Sequence, residues 1–164
     1  MSGGGDGHAA RPRRIAVALG SNLGPRRRHL QYAADRLRLI LAEPVVSDFI
    51  DTAPHGIATA GQPRYLNGAV VGWSPRAPRE LLARLHEIED ARGRTRPYDT
   101  APRTLDLDLI LAGDLVVSTP GLTVPHPRFR ERRFVLEPLA AVAPDLTDPV
   151  TGLTVQALLA RLDA

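Results

Sequence analysis

Asp99-Thr100-Ala101-Pro102-Arg103-Thr104-Leu105-Asp106-Leu107-Asp108-Leu109-Ile110 alternates leucine with aspartate through its second half. Side chains alternate faces along a strand, so Leu105, Leu107 and Leu109 point one way and Asp106 and Asp108 the other. The segment reads as a half-buried strand with an apolar face and an acidic face. Carboxylates about 6.6 Å apart on such a strand repel by roughly 2 to 3 kcal/mol at an effective dielectric of about 20. A divalent cation reverses that term. Oxygen ligands from one or two carboxylates, completed by water and substrate phosphates, suit Mg²⁺. Taken alone, an Asp-x-Asp pair also fits a solvated polar face. Arg103 turns the balance toward metal and phosphate, because Pro102 keeps the preceding backbone extended and a planar cation arrives just ahead of the acids.

Outward from this strand, the remaining elements follow from periodicity and breakers. Ile15, Val17 and Leu19 alternate with alanines in a first strand that breaks at Gly20-Ser21-Asn22-Leu23-Gly24-Pro25. A helix is expected from about Arg26, with Leu30, Ala34, Leu37 and Leu41 at helical spacing until Pro44. Val45 to Asp51 reads as a second strand and Tyr65 to Trp73 as a third, with a long Gly- and Pro-bearing loop between them. Pro78 suits the first turn of a second helix carrying Leu81, Leu82, Leu85 and Ile88, which ends at Gly93. The acidic strand follows, and Gly113-Asp114 turns it toward Leu115 to Val117. The order strand, helix, strand, strand, helix, strand predicts an α+β fold, a ferredoxin-like antiparallel sheet (a βαββαβ core) with helices on one face. Phe129 to Ala141 and Val155 to Leu162 add C-terminal helices.

Length and composition bound the possibilities. The 164 residues suffice for one domain with a real core, expected over residues 15–164. Residues 1–14 are Gly-rich and polar, without the apolar core of a signal peptide, and read as a disordered tail. No apolar run reaches the length of a membrane span, so a cytoplasmic protein without membrane contact is the expectation. A monomer is expected, although nothing in the sequence bears on oligomeric state. Cysteine is absent, which excludes disulfides and thiolate metal sites. All 21 residues of the Lys+Arg count are arginine. A P-loop, which needs Lys, is therefore impossible. The net charge of +3 and the 4% aromatic content do not suit a nucleic-acid platform.

Asp99 to Ile110 closely resembles the signature of the 6-hydroxymethyl-7,8-dihydropterin pyrophosphokinase family, matching it at every position. The resemblance runs from about Ile15 to Leu139. It implies transfer of the terminal diphosphate of ATP to the pterin alcohol in folate biosynthesis, with two Mg²⁺ ions on Asp106 and Asp108. Gly20-Ser21-Asn22-Leu23 matches the family's opening motif, with Ser or Asn expected to cap a helix. Tyr65-Leu66-Asn67 matches Tyr-x-Asn, where the family stacks the pterin on the aromatic and hydrogen-bonds it with the amide. Thr52 resembles the family's threonine at the pterin, His55 a backbone contact beside it, and Phe134 the second aromatic against the ring.

Leu122-Thr123-Val124-Pro125-His126-Pro127 is similar to the segment whose His reaches the ATP phosphates while its backbone, with Leu109, frames the adenine. Arg132 and Glu89 correspond to positions at the nucleotide. Arg94 and Arg96 match the arginines of a loop closing over ATP, and Arg103 the one beside the metal acids. Asp106, Asp108, Arg94 and Arg103 are thereby the candidate catalytic residues. The chain departs from the pattern at Thr100-Ala101, where many relatives carry Trp-Gly, at Pro127, commonly aromatic, and at Ala53, frequently Pro. Two other readings compete. One is a different Mg-dependent phosphoryl or nucleotidyl transferase, against which Tyr65, Asn67 and Phe134 argue. The other is a noncatalytic ferredoxin-like RNA-binding module, for which the Lys/Arg-Gly-Phe/Tyr type of run is missing.

Overall fold

The computed structural model describes residues 11–52, 64–93 and 104–163. Its elements are β1 (Arg13–Ser21), α1 (Arg26–Ile40), β2 (Ala42–Val46), β3 (Ile50–Thr52), β4 (Tyr65–Ser74), α2 (Pro78–Ala91), β5 (Asp106–Ala112), β6 (Val117–Thr119), β7 (Leu122–Val124), α3 (Arg133–Val142) and α4 (Val155–Leu162). A 3-10 turn, Phe129–Glu131, precedes α3. Four strands lie in the order β2-β4-β1-β5, β3 pairs β4 as well, and every pairing is antiparallel. This is the expected ferredoxin-like order. β6 and β7 form a separate ribbon.

The central strand shows why the sheet is covered on both sides. Ile15, Val17 and Leu19 of β1 pack with Leu30, Ala33, Ala34 and Leu37 of α1 and with Leu81, Leu85 and Ile88 of α2. Ala16 and Ala18 point to the opposite face, where Val135, Leu136 and Leu139 of α3 and Val155 and Leu158 of α4 bury them. The core helices thus share one face as expected, and the C-terminal pair occupies the other. Large residues meet the first pair of helices and alanines meet the second, so α3 lies close on the sheet. In β5, Ala16 pairs Leu111 while Val17 pairs Leu109, leaving Ile110 as an extra residue. This β-bulge turns Leu111 to the face of Ile110, and both enter the second core.

Several boundaries differ from the periodicity reading, each for a tertiary reason. Arg13 and Arg14, expected to precede the first strand, are already in β1, paired with Ser74 and Trp73. Arg14 also reaches Asp145 at 2.9 Å. The expected second strand is two. Between β2 and β3, Ser47 leaves the ladder, its N–H donating to Ala69 O and its Oγ accepting from Ala69 N–H. Phe49 then fills the space over Gly68, where a Cβ would sit 2.7 Å from its ring. Pro44 lies inside β2 rather than at the end of a helix, and α1 ends at Ile40. The strand after Gly113-Asp114 starts at Val117 and pairs with β7. The helix expected from Phe129 is a 3-10 turn broken at Arg132 before α3. Ser21 and Asn22, fully buried, are not helix caps: α1 starts after Pro25 without a side-chain cap.

Candidate active site

Register across the sheet places the chemistry. Gly20 of β1 lies opposite Asn67 of β4 on one side and Asp106 of β5 on the other, and Ala18 likewise lies between Ala69 and Asp108. Residues directly opposite share a face, so Tyr65, Asn67, Asp106 and Asp108 stand on the side of the sheet that carries α3. Strands are spaced by about 4.8 Å, which puts the β4 and β5 side chains roughly 10 Å apart with only Gly20 and Ala18 between them. The result is a trough with an amide and aromatic wall, an acidic wall and a floor of small residues. A Cβ on Gly20 would lie 3.1 Å from Asn67 Oδ1 and 3.8 Å from the Tyr65 ring. Both side chains therefore lean over the glycine.

Asn67 is only 5% exposed. Its Nδ2 donates to Thr52 Oγ1 at 2.5 Å, and β3 sets that threonine opposite Tyr65. With the donor end engaged, the carbonyl end over Gly20 is the acceptor a ring N–H would meet. Phe134 stands in the first turn of α3, partly buried against the second core, with the Arg132 guanidinium 5.6 Å from its ring centroid. Since α3 packs on β4, both aromatic side chains belong to the same side of the sheet.

Among the described residues β5 pairs only with β1, so its outer main-chain groups need other partners. Leu107 N–H donates to Glu89 Oε2 at 2.7 Å, and Glu89 is 2% exposed. Ile110 O accepts from His126 N–H at 2.9 Å. Strand alternation aims the N–H and C=O of Leu109 to this same outer edge. A cavity of about 300 Å³ opens along it, between Leu82, His86 and Glu89 of α2, Asp106 to Leu109, and the segment from Gly121 to Thr123 with His126 and Pro127. Asp106 and Asp108 line this cavity and also face the trough. Edge cavity and trough meet at the carboxylates.

His126 is partly buried, and its Nδ1 accepts the Arg128 N–H at 3.2 Å. That bond leaves the ring proton on Nε2 as a donor. Burial foremost, then the charge of Arg132, push its pKa down to about 4, against an opposing pull from Asp106. The imidazole is neutral at pH 7. A lowered histidine pKa makes the unfolded chain the better proton acceptor, so stability from this group is present above its ordinary 6.5 and is lost as pH falls toward about 4. In NMR titration of the free protein, His126 should therefore show no protonation from pH 8 to about 5.5. A midpoint at 6 or above would contradict this environment.

Most of the residues anticipated from sequence converge here. Thr52, Tyr65 and Asn67 build one wall; Asp106 and Asp108 the other; Glu89, Leu109, Leu122, Thr123 and His126 the edge cavity. Arg132 and Phe134 follow at the start of α3. His55, Arg94, Arg96 and Arg103, with the expected closing loop, lie outside the described residues. The floor of Gly20 and Ala18 was missed, although the alternation of large and small residues from Ile15 to Gly20 signalled it. Among the described residues no group of three or more His, Cys, Asp or Glu side chains could cage a metal. Two part-exposed carboxylates at the junction fit Mg²⁺ shared with phosphates rather than enclosed by protein.

Such a site belongs to a class of enzymes that transfer phosphoryl groups to a flat heterocyclic acceptor, carried on a ferredoxin-like sheet. The family model for 7,8-dihydro-6-hydroxymethylpterin-pyrophosphokinase matches residues 16–144, and the chain belongs to that family. It is similar to the 2-amino-4-hydroxy-6-hydroxymethyldihydropteridine pyrophosphokinase of Synechocystis sp., 42% identical over 149 residues, 90% of this chain and 75% of the relative. The enzyme of that name from Pseudomonas aeruginosa is 41% identical over 143 residues, 83% of this chain and 84% of its own length. Among solved structures, Plasmodium falciparum HPPK-DHPS superposes with a TM-score of 0.72 at 12% identity, over 92% of this chain and 45% of that one. That likeness bears on the fold alone.

Proposed function

We propose that this chain carries out its family's reaction, transfer of the terminal diphosphate of ATP to 6-hydroxymethyl-7,8-dihydropterin, across the trough beside Gly20. The products are AMP and the pterin diphosphate, in folate biosynthesis. The supporting observation is the register row Asn67, Gly20, Asp106, which sets a ring-binding wall opposite an acidic pair with nothing large between them. The pterin lies over Gly20, stacked on Tyr65 and Phe134, with its ring N–H groups on Asn67 Oδ1 and Thr52; the family resemblance adds a backbone contact from His55. Adenine occupies the edge cavity against Leu109, Leu122 and Thr123. Glu89 holds the edge strand in phase through Leu107.

Asp106 and Asp108 would hold two Mg²⁺ ions, which when bound would neutralise the triphosphate and favour the ionised form of the acceptor hydroxyl. His126 donates Nε2–H to a phosphate oxygen. Arg132, with Arg94, Arg96 and Arg103, balances charge on the diphosphate as it moves. The acceptor oxygen attacks the β-phosphorus, the bond to the α-phosphate oxygen breaks, and AMP leaves. The chain contributes alignment and preorganised charge, the main sources of catalysis in phosphoryl transfer. On this reading the protein is a monomer working in the cytoplasm. Phosphorus NMR of products from ATP, Mg²⁺ and the pterin tests the reading. AMP with a pterin diphosphate is expected; ADP with a pterin monophosphate, or no pterin-dependent turnover, would overturn it.

A further inference from the structure

We propose that Asp148, in the loop between α3 and α4, is a positioning residue that sets His126 and Arg132 for the triphosphate; this rests on the reading that those two residues act on it. Asp148 is fully buried. Its carboxylate accepts four hydrogen bonds, from Arg130 Nε at 2.5 Å and Nη2 at 2.9 Å, from Val150 N–H at 3.0 Å and from Thr151 Oγ1 at 2.7 Å. Its own backbone is pinned, N–H to Leu153 O and C=O from Gly152 N–H, both at 2.8 Å. A carboxylate so saturated is a fixed point on which a guanidinium fork has one orientation.

Arg130 stands in the 3-10 turn between His126 and Arg132. Its guanidinium lies 4.9 Å from the ring centroid of Phe129, which is fully buried. The turn closes by hydrogen bonds from Phe129 N–H to His126 O and from Arg132 N–H to Phe129 O. A grip on Arg130 therefore reaches His126 at one end and Arg132 at the other. The pair also steadies the loop, since the Asp148 side chain is fully buried and that of Arg130 is 26% exposed, so an effect on the triphosphate has to be read apart from stability. Asp148 also lies beyond residues 16–144, the part that the family model matches.

The test compares the full-length chain with the double variant Arg130→Met/Asp148→Leu and with Arg130→Lys, by thermal unfolding and by kcat and KM for ATP and for the pterin. The double variant should stay folded but unfold at a lower temperature, since Val150 N–H and Thr151 Oγ1 lose their acceptor. At a temperature where it is fully folded, it should show a KM for ATP raised about tenfold and a KM for the pterin within about twofold. Arg130→Lys keeps the charge but loses the fork, and should raise the KM for ATP about threefold at unchanged stability. Should the double variant not fold, the lysine variant decides. A wild-type KM for ATP in a folded variant, or equal losses for both substrates, would overturn the assignment. Wild-type protein without pterin-dependent AMP release would instead overturn the functional reading itself.

Discussion

Replacing Asp106 and Asp108 together by Asn is expected to lower kcat at least about a thousandfold while leaving the fold in place. Asn keeps the shape and removes the charge. Both carboxylates are part-exposed, and the residues opposite them in β1 are Gly20 and Ala18, which leave the Asn side chains room. Near-isosteric replacement of part-exposed side chains should change stability by less than about 1 kcal/mol. Urea unfolding and steady-state turnover on the same preparation check both parts. Substantial turnover in the folded double variant would remove the metal assignment.

Tyr65→Ala and Phe134→Ala should each weaken pterin binding by roughly 1 to 3 kcal/mol, about 5- to 150-fold, and leave ATP binding nearly unchanged. Each loses one stacking face and its apolar contact. The two differ in stability, because Phe134 packs against the second core while Tyr65 stands at the start of β4. Phe134→Ala should therefore also cost about 1 to 3 kcal/mol of folding free energy, less than a fully buried Phe would. Titration calorimetry with the pterin and with a nonhydrolysable ATP analogue separates the cases. Equal losses for both ligands would make these rings core residues and put the pterin elsewhere.

The sheet was legible because its periodicities are local. Alternation in β1, β4 and β5 and helical spacing in α1 and α2 fix the element order, and the split β-α-β unit allows few ways to arrange it. What sequence concealed depends on distant partners. The break between β2 and β3 exists because Phe49 needs the room that Gly68, on another strand, leaves open. The break at Arg132 accompanies the grip of Asp148 on Arg130, 18 residues away. In a sequence, an aspartate in a Pro- and Thr-rich loop looks solvated.

In the site, residues that bear chemistry were recognisable by type and spacing: the Asp pair, Tyr65 with Asn67, and His126 between prolines. Gly20 and Ala18 carry no chemistry. Their role comes from lying between two walls, which only the register of three strands establishes. Thr52 sits similarly: its place beside Asn67 follows from the pairing of β3 with β4.

The juxtaposition of the two walls is open to a direct distance measurement. Mn²⁺ takes the same carboxylate and phosphate ligands as Mg²⁺ and broadens nearby proton resonances. Asn67 lies in the same register row as Asp106, across Gly20 and roughly 10 Å away. In a complex with the pterin and a nonhydrolysable ATP analogue, replacing Mg²⁺ by Mn²⁺ should broaden the Asn67 side-chain amide and the bound pterin protons. The Asp106→Asn/Asp108→Asn variant should lose that effect. Sharp Asn67 and pterin signals in the wild-type complex at saturating Mn²⁺ would contradict the account.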